Sequence, residues 1–570
     1  MTSSNDGAAA ALEPQLVGGA AALGATAAAH STASVIPAAW GDTLSRRRIA
    51  AVLVSVMLGM LLSALDQTVV GTAMPRIIAD LNGLQHYAWV GTAYLLFSAA
   101  SMPIWGKLSD AFGRRRFFIV GMVIFVVGSA LCGQSRNMAE LIGFRAMQGL
   151  GAGAMMPIVQ AIIGDIFPPA QRARWTGVLM SVFGLATIVG PLIGGYITDN
   201  IGWRWTFYVN MPVGVVALAC AAIALPAHVK MRRHTIDYLG AALLVAAAVP
   251  LLLAFSWAGS QYPWASVQTI GLFAFSVAMW AAFIFQERRA AEPVLSPALF
   301  KNDIFVVSVI AVTLQSAAMF GAIMFLPLFV QGVQGETATN SGIILMPMML
   351  GAIVASIGGG QLLSRTGKYK GVVIAGFVAV VVGTYMLSRM GVDVSRLTLT
   401  RDMVVLGLGL GVGMSAFTVI VQNQFPTHRL GEVTAGLQFF RSLGATVGLA
   451  VFGTILNSTF NSSLAANMPP ELAQLGGAGG AAVGKLDNPQ VLLSATARDQ
   501  LAAVFGKMGP QGAGLLEKFM DAVRHSLQAS ISDLFFLATI IGVVGLAVVF
   551  FLKEDPLRRT HALPVPAAGE

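Results

Sequence analysis

Residues 106–116 read Gly106-Lys107-Leu108-Ser109-Asp110-Ala111-Phe112-Gly113-Arg114-Arg115-Arg116, and residues 360–370 read Gly360-Gln361-Leu362-Leu363-Ser364-Arg365-Thr366-Gly367-Lys368-Tyr369-Lys370. Glycine coincides at the first and eighth places, leucine at the third, and a basic residue at the ninth and eleventh. Each stretch lies between two apolar runs long enough to cross a bilayer. A basic, glycine-bounded turn at matching places in two series of spans predicts a duplicated helical bundle. Secondary transporters that rock around a midplane site are built this way.

The rest of the chain agrees with a membrane protein. Of its 570 residues, 56% are hydrophobic and 11% charged, against roughly 25% charged in soluble domains. That excludes a soluble enzyme, a disulfide scaffold and a disordered chain. Fourteen runs reach the length needed to cross about 30 Å of hydrocarbon: 50–79, 86–106, 115–134, 138–162, 174–198, 205–226, 237–258, 267–286, 303–330, 338–362, 371–390, 402–424, 432–458 and 528–552. With the N-terminus inside, the inner segments hold 22 Lys and Arg. The short outer ones hold six: Arg76, Arg136, Arg204, Arg389, Arg396 and Arg401. Dropping one span would swap the loops beyond it and erase this positive-inside bias. The net charge of +9 is therefore read as a topology signal, and nucleic acid is not an expected partner.

These runs divide the chain into a disordered cytoplasmic tail, 1–48, and a six-span bundle, 49–226. Two linker spans with inner loops follow in 227–302, then a second six-span bundle, 303–552, and a cytoplasmic tail, 553–570. The tail lacks the basic n-region of a signal peptide, its first cation being Arg46. The long segment 459–527 is expected outside, with a helix-patterned end, Leu515–Ser530, running into the last span. Its Gly479-x4-Gly484-Lys485 resembles a phosphate loop only in outline, because Leu486 follows where Ser or Thr is required and no strand precedes. Transport would run on an ion gradient, with no cofactor.

Six motifs stand in order along the spans. They are the loop 106–116; Leu65-Asp66-Gln67-Thr68-Val69-Val70 with Met74-Pro75; and Leu141-x3-Arg145-x2-Gln148-Gly149-x-Gly151. The series continues with Gly190-Pro191-x2-Gly194-Gly195, then Trp203-Arg204-Trp205-x-Phe207-x2-Asn210-x-Pro212-x-Gly214, and ends at Arg441-x2-Gly444. Together they resemble the major facilitator superfamily, in particular its fourteen-span drug:proton antiporter branch, over nearly all of 50–555. The resemblance implies two six-helix bundles plus two intervening transmembrane helices and multidrug efflux across the cell membrane. It also implies proton coupling or cation recognition at Asp66, a part for Arg145 in proton transfer, and export associated with the Gly190–Gly195 motif.

The residues themselves support several of these roles. Asp66 is the one acidic residue placed deep in a span, where a carboxylate normally faces a cavity, a partner or a substrate. Arg145, two turns into span four, needs an acceptor or water there. Asp110 with Arg114 and Arg116 sits at the inner surface and could latch the bundles. Gly106 and Gly113 permit close approach and a tight turn, and Ser364 makes the second copy asymmetric. Gly190, Pro191, Gly194 and Gly195 strip one helix stripe of bulk, and Gly407, Gly409, Gly411 and Gly413 suit close packing equally well. Tyr94, Phe97, Met319, Phe320, Met324, Phe325 and Arg441 are candidate cavity residues for amphiphilic small molecules. The apolar ones among them read identically to lipid-facing or packing side chains.

Cys132 and Cys220 fall in different spans without metal-ligand spacing, no histidine lies deep in a span, and no nucleophile–base pair suggests an enzyme. Export of a lipid or metabolite remains an alternative to drug export. So does a non-transporting receptor that engages an envelope partner through 459–527.

Overall fold

The computed structural model describes residues 44–81, 87–226, 237–259, 261–336, 338–468, 503, 505 and 510–558. Fourteen long helices run through them: α1 Arg46–Leu81, α2 Tyr87–Phe112, α3 Arg114–Gln134, α4 Met138–Ile166, α5 Pro169–Asn200, α6 Asn210–Ala224, α7 Tyr238–Trp257, α8 Val267–Glu287, α9 Asp303–Gly332, α10 Ala338–Thr366, α11 Lys370–Ser388, α12 Arg396–Gln424, α13 Leu430–Asn467 and α14 Pro510–Phe550. A helical turn, Trp205–Tyr208, leads into α6. Among the described residues, twelve helices are long and apolar enough to cross a membrane. The other two, α2 and α5, are 26 and 32 residues long, enough to cross a bilayer. All fourteen are compatible with fourteen spans.

Lipid accounts for the helical architecture, because backbone groups in hydrocarbon must be satisfied within the segment. It accounts for the surface too. Ile223, Val267, Val277 and Phe285 are all more than half exposed, a distribution that water would penalise and acyl chains do not. Polar caps mark helix starts where loops emerge. The Asn137 side chain accepts from Glu140 N, and the Glu140 carboxylate in turn accepts from Arg136 N at 2.9 Å, a reciprocal cap on α4.

The duplication appears in the packing. In the first half α1 packs on α5 and α6, α2 on α4, and α3 on α4 and α6. In the second half α9 packs on α13 and α14, α10 on α12, and α11 on α12 and α14. The same five pairs recur eight helices later, giving two six-helix bundles, with α7 and α8 packed on each other between them. The bundles meet through α2 on α13 and α5 on α10, which are equivalent pairs under the same offset.

The two repeated loops, α2–α3 and α10–α11, also share geometry. Gly113 and Gly367 both adopt positive φ, 105° and 70°, a conformation that favours glycine. Gly106 and Gly360 both sit where one bundle touches the other. A Cβ on Gly106 would come 2.5 Å from the carbonyl oxygen of Gly431, and one on Gly360 would crowd the Ala173 backbone.

Some boundaries differ from the sequence reading. Helix α1 begins at Arg46 inside the expected tail, and residues 1–43 lie outside those described. The segment 459–527 is shorter as a connection than expected, because α13 continues to Asn467 and α14 starts at Pro510. Leu464, Phe519, Val523 and Leu527 extend one apolar core past the span ends, so the helices continue while packing supports them. The phosphate-loop look-alike at 479–485 lies outside the described residues. In the C-terminal tail, residues 553–558 are packed: Leu557 N donates to Gly367 O at 2.9 Å and Tyr369 Oη to Lys553 O at 2.7 Å.

Candidate functional site: a buried ion pair and a gate between bundles

Asp66 on α1 is fully buried, and so are its partners. Arg145 Nη1 on α4 donates to its Oδ2 at 2.7 Å. Gln148 Nε2, one turn further along α4, and Asn210 Nδ2, at the start of α6, both donate to Oδ1, at 2.9 and 2.8 Å. Arg145 Nη1 also donates to Gln148 Oε1 at 2.8 Å, and Asn210 Nδ2 reaches Ser129 Oγ on α3 at 3.1 Å. The guanidinium lies 4.2 Å from the centre of the Tyr94 ring on α2, a cation–π contact in a water-poor setting. Five helices of the first bundle thus converge on one carboxylate. An isolated charge here would cost about 2.5–3.5 kcal/mol on insertion scales; as a hydrogen-bonded pair the two charges neutralise each other.

Tyr94 is 1% exposed, so it forms the floor under Arg145 instead of lining an open cavity. Phe97 packs against the buried cluster of Leu96, Ala99 and Leu252, as do Val249 and Leu253 of α7 and Leu443 of α13. Met319 and Phe325 pack on the core of the second bundle, Phe320 is half-buried and Met324 is exposed. Arg441 is half-buried on α13, and among the described residues no charged group acts on it.

The second cluster lies at the end of the bundles that carries the repeated loops, the basic end. The Asp110 carboxylate accepts from Gly431 N at 2.9 Å and Glu432 N at 2.7 Å, so α2 of one bundle caps α13 of the other. Arg114 pairs with Asp110, pairs with Asp165 of α4 at 3.0 Å, and donates to Ser109 Oγ at 2.9 Å. Its Nη2 reaches Thr427 O in the second bundle at 3.5 Å. Burial pushes the Asp110 carboxyl up from 3.8 to about 6 against the opposing pull of Arg114 and the two backbone N–H groups. Arg116 is exposed and has no partner among the described residues; of the two, only Arg114 enters this cluster. Gln422 Nε2 of α12 donates to Gln160 O of α4 at 3.1 Å, and Arg172 Nη1 of α5 to Gln422 O at 3.5 Å. Among the described residues, the hydrogen bonds joining the two bundles all lie at this end.

On α5, Gly190 gives Thr68 room, and the Thr68 hydroxyl donates to Ala186 O at 3.2 Å. Gly194 O accepts from the Thr198 hydroxyl at 2.7 Å, and no atom crowds Gly195. The Pro191 side chain lies outside those described. The motif therefore fits α5 closely to α1 at Gly190.

Sequence reasoning left Gln148, Asn210, Asp165 and Gln422 without roles. The first two stand inside motifs already quoted, and a polar amide in an apolar span was the signal available. Asp165 and Gln422 had no such marker.

A duplicated helix framework of this kind defines a class of membrane transporter, and comparison by sequence agrees with it. The family model described as Major Facilitator Superfamily matches residues 56–449, and the chain belongs to that family. The multidrug transporter protein MdtP of Bacillus subtilis (strain 168) is 39% identical over 516 residues, 89% of this chain and 93% of that protein. Multidrug resistance protein 3 of the same organism is 36% identical over 509 residues, 89% of this chain and 96% of its own length. The proton:xylose symporter XylE shares the fold with a TM-score of 0.57 at 12% identity, over 90% of this chain and 98% of that one.

Proposed function

We propose that this chain is a proton-coupled exporter of hydrophobic or cationic drugs in the cell membrane, working by alternating access. The observation that carries the reading is the buried Asp66–Arg145 pair in a chain similar to multidrug transporters over most of its length. Proton binding to Asp66 would release Arg145, and loss of the proton would restore the pair, giving the first bundle two arrangements. A cationic drug would reach Asp66 only by displacing Arg145. The contact of Asp110 with the α13 N-terminus serves as the latch, and the positive-inside bias argues for both chain ends in the cytoplasm.

One pH unit supplies about 1.4 kcal/mol per proton and 100 mV about 2.3 kcal/mol per charge. Together these support roughly several-hundredfold accumulation of a neutral substrate at one-to-one exchange. The test is flux in proteoliposomes containing only this protein. Asp66→Asn keeps the side-chain size and removes the titratable group, so gradient-driven transport should vanish. Concentrative, pH-driven transport by the Asn variant would remove Asp66 from the coupling.

A further inference from the structure

Asp66 and Arg145 pair with each other inside the first bundle, whereas among the described residues no charged group acts on Arg441 of the second. Its position on α13 follows from the contacts of the residues around it. Gly444 and Gly448 pack against Thr313 and Ala317 of α9, and Gly431 and Ala435 against Gly106 of α2. Leu443 packs toward α2 and α7. The remaining stripe is Thr434, Gln438, Arg441 and Ala445, because positions seven apart nearly superpose on a helix. Thr434 accepts from Gln422 Nε2 at 3.0 Å, and the same amide donates to Gln160 O of the opposite bundle. Arg441, two turns beyond Thr434 on this stripe, therefore faces the seam between the bundles.

On the same stripe as Arg441, Thr434 and Gln438 are buried polar side chains. A half-buried guanidinium on a stripe of buried polar side chains suits a carboxylate, sulfonate or phosphate oxygen. We infer that the seam at Arg441 is a binding site for the anionic group of an amphiphile, whose apolar body lies between the bundles. This deepens the export reading and rests on it by extending the substrate class to acidic amphiphiles, which would bind away from Asp66.

The test compares 11-(dansylamino)undecanoate with its carboxamide, which differ only in charge. Scintillation-proximity binding to purified protein should show the carboxylate bound at least about tenfold more weakly by Arg441→Gln, as loss of a charge-assisted contact implies. The amide should change less than twofold, and Arg441→Lys should keep most of the carboxylate affinity. Equal weakening of both probes, or an unchanged carboxylate, overturns the site. Proton-driven transport of the amide by the unaltered protein judges the export reading separately.

A second observation stands independently. At the second repeat Ser364 occupies the place of Asp110, so α10 brings no acid to the start of α5. There Ala170 N donates to Arg558 O at 3.1 Å, while Arg558 N donates to Asn423 Oδ1 at 3.1 Å and Leu557 N to Gly367 O. The tail after α14 thus bridges both bundles at the point equivalent to the Asp110 latch. We propose that residues 553–558 are a second latch, replacing the acid that the repeat lost. Truncation after Leu552 should lengthen the distances between spin labels at Arg174 and Arg365, across the α5–α10 contact, with the fold intact by thermal melting. Arg558→Ala should change little, since its carbonyl bridges the bundles. Unchanged distances in a folded truncation overturn the latch.

Discussion

Asp66 and Arg145 are each expensive to bury alone, and this asymmetry predicts how the site fails. Arg145→Ala leaves a fully buried carboxylate with only the Gln148 and Asn210 amides, a loss of about 3–5 kcal/mol. Asp66→Asn leaves Arg145 on the Tyr94 ring and the Gln148 and Val90 oxygens, so it should be milder. Removing both charges in Asp66→Asn/Arg145→Gln should recover part of the larger loss. Thermal melting in detergent gives the order. If Arg145→Ala melts no lower than Asp66→Asn, the charges are not coupled as described.

At the level of elements, the N-terminus of α13 carries exposed N–H groups and the positive end of a helix dipole, which Asp110 caps from the other bundle. Its surroundings are Arg114 on α3, Asp165 on α4, and Arg429 and Glu432 at the start of α13. In this contact between the bundles burial raises the Asp110 carboxyl to about 6; opened to water under the proposed gating, it should return to about 3.9. The closed state therefore holds a proton that the open state releases between these values. Lowering the pH from 7 to 5 should favour closure, and the gain is lost as pH rises through about 6. Distances between spin labels at Arg115 and His428 should shorten with acid in the unaltered gate and show no such shift in Asp110→Asn. The glycines of α12 act as spacers: Gly407 and Gly411 meet α10, Gly409 meets α11 and Gly413 meets Gln315 of α9. A bulky residue at Gly409 would have to push the α11 backbone away.

For the whole molecule, an even number of spans and a one-sided distribution of cations make a joint prediction about orientation. In a background with Cys132 and Cys220 replaced by Ala, Ser3→Cys and Ser462→Cys should react with impermeant maleimide from opposite sides of the membrane. Labelling of both from outside would break the fourteen-span topology. The two bundles are joined at the basic end, where the Asp110 cap, the Gln422 bond and the tail lie together. Under the proposed alternating access, opening that end would break these contacts while the five helix pairs within each bundle persist.

The sequence by itself determined the number of long helices, their order and the duplication. Length and apolarity of a span are local properties that lipid reads directly, and Gly113 and Gly367 carry the turn in their own backbones. It also marked Asp66, since a carboxylate in an apolar run stands out without knowledge of its surroundings. Its partners lie 79, 82 and 144 residues away, and Asp110 caps an amide 321 residues away. Only the tertiary structure decided these. Nor could the sequence assign Tyr94 to the ion pair or set Arg441 on the seam: aromatic and aliphatic side chains read alike whether they meet lipid, a neighbouring helix or a ligand. Which of these each one meets depends on how helices distant in sequence pack together.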